Sequence, residues 1–182
     1  MGLLDDLGSA IDELLGGKNK SIKDHGGKII TKYANVDDVI EHLKKFVPKA
    51  DPKLKSGYTE KSIENQLVKF MKERFVEITP QYGIEGRNAR FIDIDVANGV
   101  AGIELKDAKQ VVKYAELDRM CFQLLDYKKK RYKDDNLFLV LVGEHEDHEN
   151  SFLLDVIDYC KENRIRYGFY ELGKGYIEEV DD

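Results

Sequence analysis

A predicted β-hairpin with a defined register constrains the fold of this chain more than any other feature of its sequence. Residues 91–107 read FIDIDVANGVAGIELKD, in which two alternating segments flank Asn98-Gly99. Both turn residues tolerate the positive φ angles of a two-residue type I′ turn, so Ala97 is expected to pair with Val100. A turn of known length determines which residues face each other along the rest of the hairpin.

This register divides the hairpin into an apolar face and a charged face. Asp93 is predicted to lie opposite Glu104, with Lys106 next along the second strand on the same face. Asp95 is predicted to lie opposite Gly102. The other face collects six apolar residues: Ile92, Ile94, Val96, Ala101, Ile103 and Leu105. The apolar face predicts a position in the core, whereas the charged face needs a separate explanation.

The charged face of the hairpin suits a divalent cation. Like charges directly opposite each other destabilise an antiparallel pair, and Asp93 and Glu104 are predicted to form such a pair. Carboxylate oxygens are the ligands that Mg²⁺ and Mn²⁺ prefer, so these two side chains are candidate metal ligands. Asp95 is a candidate additional ligand. The alternative is an ordinary solvent-exposed face, because exposed strands commonly alternate acids and lysines.

Helices and strands alternate after residue 50, which predicts an α/β fold with a mixed central sheet flanked by helices. The run NLFLVLVG at 136–143 is continuously apolar, as expected for a central strand that is covered on both faces. Thr59 is the predicted cap of the first helix. The remaining elements are a helix over 59–75, a strand over 76–82, hairpin strands over 90–97 and 100–106, helices over 112–132 and 151–163, and a strand over 166–172. The predicted order, αβββαβαβ, contains an αβββαβ core.

Residues 1–50 are predicted to form a helical N-terminal extension, and residues 51–182 the main domain. Leucine and isoleucine side chains share one face of a predicted amphipathic helix over 3–15. This face suits docking onto the main domain, self-association as a homodimer or docking onto a protein partner. The Gly- and Lys-rich stretch 16–28 predicts a flexible linker, and Asn35 is the predicted cap of a helix that follows it.

The composition is that of a globular protein, with 42% hydrophobic and 35% charged residues. Cys121 and Cys160 fall in different predicted helices without metal-ligand spacing, so both are expected to be reduced. No basic leader precedes the first leucines, and no stretch approaches the roughly 20 apolar residues of a membrane span. A cytoplasmic protein without membrane contact is therefore expected. The net charge of −6 arises from acidic residues after residue 135, so it does not exclude a nucleic-acid partner for the rest of the chain.

The hairpin motif resembles that of the PD-(D/E)xK nuclease superfamily, whose core is αβββαβ with the motif residues on the second and third strands. Asp93 matches the motif aspartate. Glu104-Leu105-Lys106 matches the (D/E)xK element, which follows apolar residues on the next strand. Ile92 stands where the family pattern has a proline. The resemblance covers residues 58–142, about half of the chain.

Two predicted helices add further matches to this family. Glu64 borders the apolar face of the first helix, where many members carry a glutamate. Arg119, Gln123 and Tyr127 follow one another at intervals of four residues, which places them on one ridge of the helix after the motif. Several subgroups carry an Arg, Gln and Tyr stripe on that helix.

The resemblance implies a nuclease that depends on Mg²⁺ or Mn²⁺ and hydrolyses phosphodiester bonds. Asp93 and Glu104 would hold the metal with the carbonyl oxygen of Leu105, and Glu64 would be an outer ligand. Lys106 is expected to orient the attacking water and to stabilise charge on the phosphate. A lysine beside carboxylates keeps a high pKa, which argues against a role for Lys106 as general base.

The implied substrate is nucleic acid, DNA more than RNA, and cleavage is expected to be nonspecific or guided by the structure of the substrate. Gln123 would position Lys106 or the scissile phosphate. The candidate substrate contacts, which are equally consistent with ordinary surface residues, are Arg87, Arg90, Arg119 and Tyr127. The alternative function is a nuclease-fold module that no longer cleaves and binds a protein or nucleic acid, because a fold can persist without its activity.

Overall fold

The computed structural model describes residues 21–23, 29–31, 34–84, 90–133, 135–148 and 150–177. The helix predicted over 3–15 lies outside the described residues. Ser21–Lys23 (β1), inside the predicted linker, pairs in an antiparallel arrangement with Ile29–Thr31 (β2), which directly follows the linker. The sequence pattern did not predict this pair, because strands of three residues are too short to show a period.

In the described part of the chain, a six-stranded mixed sheet forms the centre of the molecule and confirms the predicted α/β class. Its strands, in both chain order and spatial order, are Ile78–Ile84 (β3), Arg90–Val96 (β4), Ala101–Asp107 (β5), Leu137–Gly143 (β6), Arg166–Glu171 (β7) and Gly175–Ile177 (β8). β4 is antiparallel to both of its neighbours, β3 and β5. β5, β6 and β7 are parallel to one another, and β8 is antiparallel to β7. Each connection between two parallel strands requires a long crossover. The crossover from β5 to β6 contains a helix of 17 residues, and the crossover from β6 to β7 contains a helix of 11 residues.

Helices cover both faces of this sheet. Those of the described residues are Val36–Leu43 (α1), Glu60–Lys72 (α2), Ala108–Val111 (α3), Tyr114–Lys130 (α4), His145–His148 (α5) and Phe152–Glu162 (α6). Asn35 and Thr59 cap α1 and α2 through capping boxes, as predicted. No described helix combines the length and the apolar composition that a membrane crossing requires. α1 packs in the same hydrophobic cluster as α2, whereas the domain boundary near residue 50 stays a prediction.

Among the described residues, two hydrophobic clusters form the core, one on each face of the sheet. The first contains apolar residues of α1 and α2, and the second contains those of α4 and α6. The side chains of β6 alternate between the clusters, with Phe138, Val140 and Val142 in the first and Leu137, Leu139 and Leu141 in the second. Because both faces are covered, every residue of β6 is buried, which explains its continuous apolar run.

The hairpin of β4 and β5 keeps the predicted register but forms a different turn. Its backbone pairs are Ile94 with Ile103, Asp95 with Gly102 and Val96 with Ala101. The turn covers four residues, 97–100, and Ala97, Asn98 and Gly99 have φ angles of 49°, 54° and 96°. The N–H of Ala97 donates to the carbonyl oxygen of Glu77 at 2.7 Å. This contact comes from a neighbouring segment, so the local sequence could not indicate it.

β4 and β5 separate at the end away from the turn. Their last backbone pair joins Ile94 to Ile103, so the predicted pairing of Asp93 with Glu104 is wrong. β4 remains paired with β3 beyond this point, although Gln81 interrupts that ladder with a φ of 50°. Ile92 belongs to the second cluster and Ile94 to the first, so the predicted single apolar face of the hairpin is wrong for Ile92. The change of face between Ile92 and Ile94 is a bend in β4, and it leaves a gap beside Asp93.

Gly102 is expected to be required for close packing of the hairpin against the residues that follow α4. A Cβ atom at this position would lie 2.6 Å from Ile92 Cδ1 and from the ring of Tyr132. Gly102→Ala should therefore lower the free energy of unfolding by about 1–3 kcal/mol in urea denaturation, because the buried ring has little space to move. Gly83→Ala is the control, since its nearest contact is the exposed side chain of Phe91 at 3.3 Å. Equal stability losses in the two variants would contradict this account.

Candidate active site

Charged side chains of three elements meet where β4 and β5 separate. Asp93 comes from β4, Glu104 and Lys106 from β5, and Glu60 from the first turn of α2. Their charges act on one another: both Asp93 and Glu60 shift the pKa of Lys106, as does Glu104. The structure thus brings together the three residues that match the sequence motif and adds a fourth.

Glu104 is the most deeply buried of these residues, with only 2% of its surface exposed. Its Oε1 accepts a hydrogen bond from Nζ of Lys106 at 2.6 Å. Its Oε2 is buried and has no hydrogen-bond partner among the described residues. Burial raises the pKa of Glu104 to about 8, although the ammonium of Lys106 acts in the opposite direction. An unpartnered buried oxygen costs free energy, so this atom marks a position where a ligand would be stabilising.

The carboxylate of Asp93 fills the gap between the two strands. Its Oδ2 accepts a hydrogen bond from the backbone N–H of Leu105 at 2.8 Å, and its Oδ1 accepts one from Nε2 of Gln81 at 2.9 Å. Burial raises the pKa of Asp93, while the charge of Lys106 and these two hydrogen bonds oppose the increase. Asp93 therefore supports the backbone of β5 as well as contributing charge to the site.

The ammonium of Lys106 is shared among several acceptors. Its Nζ lies 2.6 Å from Oε1 of Glu104 and 3.7 Å from Oε1 of Glu60, and it donates to the carbonyl oxygen of Leu105 at 3.1 Å. Burial by itself lowers the pKa of Lys106, but the carboxylates of Glu104, Asp93 and Glu60 raise it above its ordinary value. Lys106 is therefore a cation at neutral pH.

The first turn of α2 contributes a carboxylate that the sequence pattern did not single out. Oε2 of Glu60 accepts a hydrogen bond from the N–H of Asp107 at 3.2 Å, and burial raises the pKa of Glu60. Glu64, the predicted outer ligand, is buried, and its Oε1 accepts a hydrogen bond from Lys61 at 2.7 Å. Its charge still raises the pKa of Asp93. The spacing of four residues places both glutamates on one side of the helix and could have indicated Glu60.

The predicted ridge of α4 is divided between the site and the solvent. Oε1 of Gln123 is buried without a hydrogen-bond partner among the described residues. The hydroxyl of Tyr127 is buried and donates to the carbonyl oxygen of Phe91 at 2.8 Å, so it connects the helix to β4. The side chain of Arg119 is 66% exposed and pairs with Glu116 at 3.5 Å. The structure does not bring Arg119 to the charged cluster.

Arg90 lies at the beginning of β4, facing α4. Its Nε is 4.0 Å from Oδ2 of Asp126, and its Nη1 is buried without a hydrogen-bond partner among the described residues. The charges of Arg90 and Glu104 both act on the hydroxyl of Tyr127. Arg90 and the charged cluster therefore lie on either side of a common neighbour, Tyr127. Arg87, the other predicted phosphate contact before β4, lies outside the described residues.

Asp95, the predicted additional metal ligand, has its oxygens engaged in other contacts. Nε of Arg131 donates to Oδ1 at 2.9 Å, and the hydroxyl of Tyr132 donates to the same oxygen at 2.5 Å. Nη2 of Arg131 donates to Oδ2 at 3.3 Å. These bonds connect the hairpin to the residues that follow α4. We therefore expect a structural role for Asp95.

The donors at the gap suit one hard divalent cation. Mg²⁺ needs only one or two protein carboxylates, because water and phosphate oxygens complete its coordination shell. Asp93 and Glu104 supply two carboxylates, one of them with an unpartnered oxygen, and the carbonyl oxygen of Leu105 is adjacent. Across the described ranges, however, no group of three or more His, Cys, Asp or Glu side chains could hold a metal ion. Metal binding stays a prediction.

Comparison of the chain with protein-family models, with curated proteins and with solved structures finds no match. The resemblance to PD-(D/E)xK nucleases therefore stays a prediction based on the sequence motif. The function proposed for the chain depends on the geometry of Asp93, Glu104 and Lys106.

Removal of the Glu104 carboxyl group should change how stability depends on pH. Because burial raises its pKa from 4.5 to about 8, the folded protein binds this proton more tightly than the unfolded protein does. The resulting stabilisation is complete below pH 4.5 and is lost as the pH rises to about 8. In metal-free buffer, the free energy of unfolding should fall more steeply over this range for the wild type than for Glu104→Gln. Parallel pH profiles from urea denaturation would show that Glu104 titrates normally.

Asp95→Asn should destabilise the fold by about 2 kcal/mol, because it removes the charge that Arg131 pairs with in a buried position. Thermal and urea denaturation would measure the loss. Asp158→Asn, an exposed substitution on α6, is the control and should change stability by less than about 0.5 kcal/mol. A stability of Asp95→Asn equal to that of the control would remove the structural role assigned to Asp95.

Proposed function

We propose that this chain is a metal-dependent nuclease that hydrolyses phosphodiester bonds of nucleic acid, DNA more than RNA. The observation that carries the proposal is the unpartnered Oε2 of buried Glu104, next to the carboxylate of Asp93 and the ammonium of Lys106. Burying charged groups costs free energy. Two strands that separate for a purely structural reason would not need such groups between them. Such groups with shifted pKa values are characteristic of reaction sites.

Mg²⁺ or Mn²⁺ is the cofactor that we propose. When bound, the ion neutralises charge on the phosphate and favours deprotonation of an attacking water. Asp93 and Glu104 would hold it together with the carbonyl oxygen of Leu105, while Glu60 and Glu64 add negative charge further out. Since the pKa of Glu104 is about 8 without metal, this carboxyl group must lose its proton when it becomes a ligand. Metal affinity should therefore increase as the pH approaches that value.

Lys106 acts as a cation in the proposed reaction. The surrounding carboxylates keep its pKa high, so it is not available as a base at neutral pH. Its ammonium would orient the attacking water and stabilise the negative charge that develops on the phosphate. The hydrogen bond to Glu104 holds the ammonium in place before the substrate binds.

Two further buried atoms, one donor and one acceptor, support the proposed reaction site. Nη1 of Arg90 is a donor without a partner among the described residues, and an arginine donor suits a phosphate oxygen. Oε1 of Gln123 is an acceptor, so it suits the attacking water or the ammonium of Lys106 better than a phosphate oxygen. Tyr127 supports the site indirectly through its bond to the backbone of β4.

A nuclease-fold module without activity is the second candidate, and one contact favours it. The ammonium of Lys106 lies 2.6 Å from Oε1 of Glu104, so it already has an acceptor without a metal. Asp93 would then have a structural role, as the acceptor for the N–H of Leu105. The chain would act by binding a protein or a nucleic acid. Metal titration and cleavage assays distinguish the two candidates.

Lys106→Met should lower metal-dependent cleavage at least about 100-fold, because it removes the cation that would stabilise the charge developing on the phosphate. The assay uses linear duplex, single-stranded and branched DNA and RNA, each with Mg²⁺ and with Mn²⁺. Glu104→Ala should abolish cleavage and weaken Mn²⁺ binding in calorimetric titration. Lys44→Ala is the control, because Lys44 pairs with Glu41 on the surface of the molecule.

Each outcome favours one candidate. Cleavage that is lost in both site variants and retained in Lys44→Ala supports the nuclease. Equal behaviour of the wild type and Glu104→Ala on every substrate, with no Mn²⁺ binding, would contradict it and favour the binding module.

A further inference from the structure

An exposed aromatic ring on α4 contacts an arginine at the beginning of β4. Phe122 is 62% exposed, and the guanidinium carbon of Arg90 lies 4.5 Å from the centre of its ring. Single exposed aromatic residues are common and need no explanation. Phe122 differs from them because a cation covers part of it and because that cation has an unpartnered buried donor, Nη1.

The position of the ring relates it to the proposed reaction. Arg90 precedes Asp93 by three residues on β4, a distance of about 10 Å along a strand. Phe122 directly precedes Gln123, whose buried Oε1 is also unpartnered among the described residues. A nucleotide next to the one that is cleaved would be able to reach both the guanidinium and the ring.

We propose that Phe122 and Arg90 form a stacking platform for an unpaired nucleobase, so that the preferred substrate is single-stranded nucleic acid or a frayed end. Every nucleobase has a π face that stacks on an aromatic side chain, and a guanidinium beside the ring adds attraction for the adjacent phosphate. Bases inside a duplex are stacked on each other and are not available to Phe122. The inference rests on the proposed nuclease function and adds the substrate class.

The platform can be tested by binding alone, without cleavage. The Kd of the full-length chain for fluorescein-labelled single strands is measured by anisotropy in EDTA, with DNA and RNA of the same sequence and with the matching duplexes. Phe122→Ala should raise the Kd for single strands about tenfold, and for duplex by less than about twofold, because only an unpaired base loses its partner. The comparison of DNA with RNA shows which of the two the platform accepts.

Two further variants separate the loss of the ring from other effects. Phe122→Tyr keeps the ring and should bind single strands within about twofold of the wild type. Tyr114→Ala removes a ring that is 71% exposed on the same helix and lies eight residues earlier, and it should leave the Kd unchanged. Oligonucleotides with abasic positions should bind the wild type more weakly than intact oligonucleotides do. The same change should lower the affinity of Phe122→Ala much less, because the base and the ring act as one pair.

The stacking platform and the nuclease activity can be disproved independently of each other. An undetectable affinity of the wild type for single strands, an unchanged Kd for Phe122→Ala, or equal losses on duplex and single strands would overturn the platform even if the enzyme cuts DNA. Binding of single strands through Phe122 by a chain that cuts no substrate would uphold the platform and overturn the nuclease.

Discussion

The hydrogen bond from the N–H of Leu105 to the carboxylate of Asp93, at 2.8 Å, is the contact on which the candidate site depends. The last backbone pair between β4 and β5 joins Ile94 to Ile103, and a buried N–H beyond it would lack an acceptor. By accepting this bond, one side chain allows two adjacent strands to separate inside a packed sheet. Glu104 and Lys106 lie on β5 next to this gap, and their side chains are 2% and 16% exposed.

The acids of the hairpin show how structural and functional carboxylates differ in physical terms. Both oxygens of Asp95 accept hydrogen bonds, from Arg131 and Tyr132, so this buried charge is complete within the fold. Glu104 is equally buried but has one oxygen without a partner among the described residues, and burial raises its pKa to about 8. A buried oxygen of this kind normally has a partner, such as a protein donor, a water, an ion or a ligand. This contrast, rather than the number of acids, supports the proposed nuclease.

The sequence predicts the features that depend on neighbouring residues along the chain. The caps at Asn35 and Thr59, the buried strand β6 and the register of the hairpin follow from local hydrogen bonding and periodicity. Ile92 departs from the alternation because β4 bends beside Asp93, and a bend imposed by adjacent strands leaves no local pattern. Arg119 shares the spacing of Gln123 but points to solvent, since spacing on a helix does not specify which side faces the sheet.

The sequence by itself determined the order of the longer helices and strands after residue 50, the mixed α/β class and the placing of Asp93, Glu104 and Lys106 on two adjacent strands. Each of these follows from short-range periodicity and turn chemistry. Only the tertiary structure decided which acids are paired and which are left without a partner. Glu60 joins the cluster through the N-terminal turn of α2, and Asp95 leaves it through Arg131, which is 36 residues away in the chain. Burial and charge pairing act between segments distant in sequence, so no local pattern contains them.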